Sequence, residues 1–431
     1  MTGALNVSVA SYTPSIILTA PEGQKTLRLA GDAGATFEVI NNANNAAIFR
    51  VTEQGTTVAK GLAYATTPLL TVKDTSLATT EWVKTWAAPS DAMGWSGMQM
   101  NGRCDVSQEN GNNPVTASGK YICDGWVMMI NGTAAISASR LNNVYFPGMP
   151  NYINVFVTTP QATMGADHYY QILHSIEGNR IARLNWGNAA AQPLTFGFWS
   201  MHHRTGIYSG SLTNGPGDRA LAFTYTQAGA DVPQFNVITV PGCTDGNWAT
   251  DNSLGLTFHF ALACGTTYTA TSSGVWSTKN CAAGPGQVNA VAATTDTFRL
   301  TGLIILSGTE APAADRVAHV LRPVDQELVL CRRHFYNGVP PVKGNLGGST
   351  SGNRLSARHP VQMRMTPALL MTAALPVYDG AVASTISTIG TNYSSVDTLE
   401  FEATMASAMS IGRMVGPYQG AGGNLNVDAR F

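Results

Sequence analysis

Charge is what this sequence has least of. Only 12% of its 431 residues are Asp, Glu, Lys or Arg, and the formal net charge is -1. Phosphate binding needs a basic face and none is visible, so nucleic acid is not the expected partner. Cysteine is also sparse: six are too few for a disulfide scaffold, and buried, reduced thiols are the expectation. Cys264 with Cys281, and Cys104 with Cys123, each flank a loop that a bridge could close. No apolar run reaches membrane-spanning length, which predicts no membrane insertion. The opening MTGALNVSVASYTPS has no basic region followed by an apolar stretch, so no secretory signal is expected and synthesis is placed in a cytosol.

What is present is small and polar. The chain holds 44 Gly with many Ala, Thr, Asn and Ser, and its mean hydropathy is +0.00. That mixture resists an ordinary helical enzyme and suits short strands joined by turns. The fold class expected is all-β.

Five segments follow from the patterning. In residues 1–75, TLRLAG, TFEVIN, AIFRVTEQGTTVAKG and PLLTV alternate apolar with polar residues between Gly and Asn punctuation, and read as strands. They carry too little apolar mass to close a core alone, which predicts that they bury their faces against identical copies in a homotrimeric or otherwise intertwined shaft. Residues 76–95 read as a neck helix, capped by Ser76 or Thr79 and ended by Pro89. Its stripe of Trp82, Val83 and Trp86 either packs on its own sheet or bundles at a symmetry axis, and is assigned as an oligomer interface.

Residues 96–322 form a run of strands, with turn signals at the spacing of an antiparallel jelly-roll sandwich and no alternating helices. Residues 323–338 read as an exit helix, with Leu328, Cys331 and Phe335 at i, i+3 and i+7. Residues 339–431 read as a small C-terminal β-domain reached through a Gly- and Ser-rich connector.

Several stretches in this order resemble the tail-fibre and receptor-binding proteins of tailed bacteriophages. AIFRVTEQGTTVAKG followed by DTSLATTEWV is similar to their shaft and neck. NGRCDVSQENG with YICDGW is similar to the opening of their jelly roll, and FNVITVPGCTDGNWATDNSLGLTFHF, DTFRLTGLIILSGTEAP and ELVLCRRHFYNG to its later strands and exit helix. The likeness covers most of residues 48–338 and is weaker beyond. One departure is that His334 and Phe335 stand where two aromatics are usual.

The resemblance implies a trimeric virion protein with a jelly roll like that of carbohydrate-binding modules, made in the host bacterial cytoplasm. Its N-terminal segment would dock to other virion proteins and its outer domains would bind a host-surface glycan. Family members also serve as adaptors, spikes and whiskers, so a purely structural head, neck or baseplate role is the alternative. A capsule depolymerase is a third.

Each candidate chemistry has a plainer competitor. Cys331, with Arg332, Arg333 and His334 beside it, has the dress of an activated thiol, yet it shares the apolar stripe of Leu328 and Phe335, so packing is expected. The arginines are expected to face solvent or a neighbouring chain. His202 and His203 point to opposite faces, and His168 and His174 lie about 20 Å apart on an extended strand, so neither pair is expected to share a metal. No dense Asp/Asn loop marks a calcium site, and no cofactor is implied. Asp124, Glu177, Asp245 and Asp251 could serve a glycosidase only if two of them converged across a cleft. No catalytic residue is assigned.

Sugars are held by aromatic faces with planar polar groups alongside. That chemistry singles out Trp199 and His203 on the outward side of LTFGFWSMHH, and Asp245, Asn247, Trp248 and Trp276 in loops. The competing role for each tryptophan is to cover an edge of the sandwich or a trimer seam.

Overall fold

The computed structural model describes the backbone of four strands within residues 26–57, and residues 97–338, 343–345, 350–378, 383–408, 416–417 and 425–431. The proposed neck helix, with Trp82, Val83 and Trp86, lies outside the described residues. The chain divides into two compact units, Met1–Ala87 and Ala88–Phe431.

In the first unit, β1 (Thr26–Arg28), β2 (Ala35–Ile40), β3 (Ala47–Thr52) and β4 (Gly55–Thr57) form an antiparallel meander, with Leu27 opposite Val39, Val39 opposite Phe49 and Val51 opposite Thr56. These strands fall on the alternating runs read from the sequence.

The second unit is dominated by an antiparallel jelly-roll sandwich. Its strands are β5 (Lys120–Cys123), β6 (Trp126–Asn131), β7 (Ala135–Phe146), β8 (Met149–Thr159), β9 (Tyr169–Glu177), β10 (Leu194–Ser200), β11 (Gly206–Asn214), β12 (Ala220–Gln227), β13 (Gln234–Val240), β14 (Leu254–Cys264), β15 (Trp276–Ser277) and β16 (Thr297–Ser307). One sheet has the order β13-β10-β16-β8-β7 and the other β15-β12-β11-β14-β9-β6-β5. Alternate side chains interdigitate between them: Phe196 and Phe198 from one sheet meet Phe223, Phe258 and Phe260 from the other, with ring centroids 5.0–5.2 Å apart for the Phe196–Phe223, Phe196–Phe258 and Phe198–Phe260 pairs.

Strand β10 is buried on both faces. Leu194, Phe196 and Phe198 enter the core, while Trp199 on the other face packs with Phe146, Met149, Tyr152 and Ile304 under a segment that includes the short helix α1 (Val317–Val320). Gly302 sits opposite, where the β10–β16 register shifts; its φ is +65° and a Cβ there would come 2.9 Å from Trp199 Cδ1.

After α2 (Val324–Arg332), begun by Pro323 and Asp325 as the sequence predicts, the chain turns extended at Phe335. The helix is therefore shorter than the span read from the sequence, because Phe335 starts a strand. The C-terminal strands are β17 (Phe335–Gly338), β18 (Lys343–Asn345), β19 (Asn353–Arg358), β20 (Ala368–Met371), β21 (Leu375–Tyr378), β22 (Ala383–Asn392), β23 (Thr398–Met405), β24 (Gly416–Pro417) and β25 (Leu425–Asp428). They form sheets ordered β17-β25-β20 and β18-β19-β23-β22-β21-β24 over a core of Leu355, Leu399, Phe401, Leu425 and Val427. The last residues fasten this part to the sandwich. The Arg430 guanidinium lies 3.9 Å from the Tyr121 ring centroid and 4.0 Å from that of Phe335, and it pairs with Asp428 at 2.7 Å and with Glu109.

Three interior histidines are hydrogen-bonded as neutral rings. His174 donates from Nδ1 to the Gly125 carbonyl (2.9 Å) and accepts the Met100 N–H at Nε2 (3.3 Å). His259 donates from Nδ1 to Gln171 Oε1 (3.0 Å) and accepts the Thr213 hydroxyl (3.0 Å). His202 accepts the Arg299 N–H and donates to Tyr225 Oη. Burial lowers all three pKa values, to about 3 for His174 and about 4 for His259.

Because these folded values lie below the unfolded value near 6.5, the unfolded chain binds more protons in between. The stabilisation is complete above that value and declines as the pH falls toward 4 and 3. Between pH 7 and pH 5, His174 and His259 should each cost on the order of 2 kcal/mol of stability. Urea unfolding at the two pH values measures this, and His259→Gln should flatten the dependence.

Candidate functional site

Cys331 is fully buried among Met100, Val106, Leu328 and Leu330, and burial pushes its thiol well above the ordinary range. Two of the residues that dress it, Arg333 and His334, serve another partner. Arg333 forms a forked ion pair with Glu177 at 3.0 and 3.1 Å, and His334 Nε2 lies 2.9 Å from Glu177 Oε1. Arg333 thus faces a buried carboxylate of the sandwich, not open solvent. Burial alone would raise the Glu177 pKa, but hydrogen bonds from His334 and Arg333 outweigh it and hold the carboxyl at about 2. All six cysteines are free thiols.

The six residues singled out as sugar ligands separate into two places. Trp199 does point away from the sandwich core, as strand alternation requires, but it is only 7% exposed. Phe146 and Phe235 pack on it within a cluster that includes Val317 and Val320, so it offers no ring face to a ligand, contrary to the sequence expectation. His203 is 44% exposed and bonds Asp231 at 2.7 Å. Asp231 in turn pairs with Arg299 (2.7 Å), which donates to Asn154 (3.1 Å).

Asp245, Asn247, Trp248 and Trp276 converge at one end of the sandwich, joined by Trp186, which the sequence reading passed over. The three indoles pack edge to face, with centroids 4.6 Å (Trp186–Trp248), 5.2 Å (Trp186–Trp276) and 5.4 Å (Trp248–Trp276) apart. Each ring N–H has a carbonyl acceptor: Gln192 for Trp186, Asp245 for Trp248 and Pro241 for Trp276, at 2.7, 3.0 and 2.8 Å. Beside them Arg219 forks onto Asp245 with two 2.9 Å bonds, which hold that carboxyl below its usual range.

Trp248, only 8% exposed, walls a cleft of about 560 Å³ that Gly215, Pro216, Asn247, Thr250 and Asp251 complete. One buried side chain sets its shape. Asn214 Oδ1 accepts the N–H groups of Asp218 and Arg219, both at 3.0 Å, while its Nδ2 donates to Asp218 Oδ1 (2.6 Å) and to the Asn247 carbonyl (3.0 Å). All four valences of the amide are used, and two loops more than thirty residues apart are tied together. The Asn247 side chain is left facing solvent. Asp251 accepts the Ser253 N–H (2.9 Å), which lowers its pKa.

The other carboxylates considered for catalysis also have assigned contacts. Asp124 is buried and accepts two bonds from Gln108, and Glu177 is held as above. Among the described residues no group of three or more His, Cys, Asp or Glu is placed to hold a metal ion.

No protein-family model and no curated protein sequence matches the chain. Solved structures give distant likenesses. The enzymatically active domain of tailspike protein 4 of bacteriophage CBA120 is 10% identical with a TM-score of 0.27, over 49% of this chain and 21% of that one. The family 11 carbohydrate-binding module of Clostridium thermocellum, in complex with a mixed-linked tetrasaccharide, is 11% identical with a TM-score of 0.24, over 46% and 98%. The CBM22-1-GH10 modules of xylanase 10B from the same organism, complexed with xylohexaose, give 9%, a TM-score of 0.24, and coverage of 48% and 30%. At this level of similarity no function passes from them to this chain.

The burial of Trp199 makes it a stability residue. Trp199→Ala should lower unfolding free energy by about 3–5 kcal/mol, the range for truncating a large buried aromatic. Chemical denaturation measures the loss, and a change below about 1 kcal/mol would show the ring to be dispensable to packing.

Proposed function

We propose that the chain is a host-attachment fibre or spike of a tailed bacteriophage and that the Trp248 cleft binds a glycan of the bacterial surface. The observation that carries the binding reading is the cleft itself: a polar recess in which the outward amide of Asn247 and the hydroxyl and carboxylate of Thr250 and Asp251 surround the small exposed part of Trp248. A pyranose presents a rim of hydroxyls, which such donors and acceptors can bind. The loops are pinned by Asn214 and backed by three packed indoles, so little ordering is required on binding.

The phage assignment rests on the resemblance of the sequence segments in their order. On this reading the N-terminal strands belong to a trimeric shaft that docks to other virion proteins. Three copies of a weak site on one particle then gain avidity, with no catalytic step required.

Asn247→Ala is the informative variant, because its side chain is exposed and the Asn214 tie uses only its backbone carbonyl. Binding to glycans of the host surface on an array should weaken about five- to tenfold, the loss of one or two hydrogen bonds, with unfolding unchanged. Equal binding by wild type and variant would remove the cleft from the proposal. Wild type that binds no surface glycan would favour the purely structural virion role.

A further inference from the structure

A second cleft, of about 590 Å³, lies at the junction of the sandwich, α2 and the chain leading to the C-terminal strands. Gly97, Glu177, Arg180, Arg183, Arg322 and Arg333 line much of it. Four arginines at one place are unusual in a chain with 25 Lys and Arg in 431 residues and a net charge of -1.

Two of the four pair with carboxylates of the same region. Arg322 pairs with Glu327 (3.1 Å) and donates to the carbonyls of Gly97 (2.7 Å) and Gln99. Arg333 forks onto Glu177 and also reaches Asn252 Oδ1 (3.0 Å). Arg180 differs. Its Nη1 donates a 3.3 Å hydrogen bond to the Met98 carbonyl, and among the described residues no carboxylate lies within ion-pair distance of it. The backbone carbonyl of Arg180 accepts a 3.3 Å bond from Arg183 Nε, which brings a second guanidinium alongside.

We infer that this cleft binds an oxyanion, the phosphate, sulfate or carboxylate group of a ligand, with Arg180 as its principal contact. Guanidinium groups present paired donors at the spacing of such oxygens, and a recessed site strengthens the pairing relative to open water. The local electrostatics agree with the geometry: burial lowers the Arg180 pKa to about 10, and the nearby charge of Arg322 pushes the same way. An anion seated among these groups would offset that crowding. The inference does not depend on the glycan reading of the Trp248 cleft, which lies on other loops.

The test uses the full chain with sodium phosphate and with sodium glucuronate, each compared with sodium chloride at equal ionic strength. Thermal unfolding and calorimetric titration are the readouts. Phosphate, glucuronate or both should raise the unfolding temperature beyond the chloride control. Arg180→Gln should weaken that binding about tenfold or more while leaving unfolding in chloride unchanged or slightly higher, because it removes a cation crowded by others.

Binding of phosphate alone assigns the site to a phosphate, and binding of glucuronate alone assigns it to the carboxylate of an acidic sugar. Should Arg180→Gln fail to fold, Arg180→Lys, which keeps the charge but loses the paired donors, should weaken that binding several-fold. No stabilisation beyond chloride, or undiminished binding in the variant that folds, overturns the inference.

Discussion

The interdigitated phenylalanines between the two sheets are the constraint on which the rest depends. Phe196 and Phe198 on β10 lock into Phe223 on β12 and Phe258 and Phe260 on β14, fixing the register of both sheets. A slip of one residue would turn every one of these rings outward. The strands held this way deliver their loops to one end of the sandwich, where Trp186, Trp248 and Trp276 pack on each other.

With so few charges, several of the arginines among the described residues are held in fixed pairs. Arg219–Asp245 braces the Trp248 loop, Arg299–Asp231 the outer face of the smaller sheet, and Arg333–Glu177 and Arg430–Asp428 the junction with the C-terminal strands. Deep in the sandwich, neutral histidines replace ions. His174, His202 and His259 satisfy both ring nitrogens without charge, which avoids the desolvation cost of a buried ion and makes the fold sensitive to acid. Arg180, beside the second cleft, has no carboxylate within ion-pair distance among the described residues.

Much of the fold was legible in the sequence because strand alternation is a local signal. Alternation in LTFGFWS puts Phe196 and Phe198 inward and Trp199 on the other face, and that is their disposition. The cover on Trp199 was not legible: it comes from Phe146, Phe235 and a cluster that reaches Val317 and Val320, all distant in sequence, and periodicity says which way a side chain points but not what meets it. The same limit applies to Arg333, whose carboxylate partner is 156 residues away. At the cleft, Trp248 and Trp276 could be picked out as tryptophans in turn-rich loops. Trp186 in NWGNAAAQP carries the same signal and could have been found by it. The role of Asn214 could not, since an amide that uses all four valences across separate loops leaves no trace in spacing.

The central claim is that a surface glycan enters the cleft walled by Trp248. Hydrogen–deuterium exchange of the full chain, with and without polysaccharide extracted from a host it adsorbs to, addresses that directly. The account predicts slowed exchange confined to residues 215–219 and 245–254. Protection elsewhere with none in these two loops, at a polysaccharide concentration that saturates binding, would contradict it.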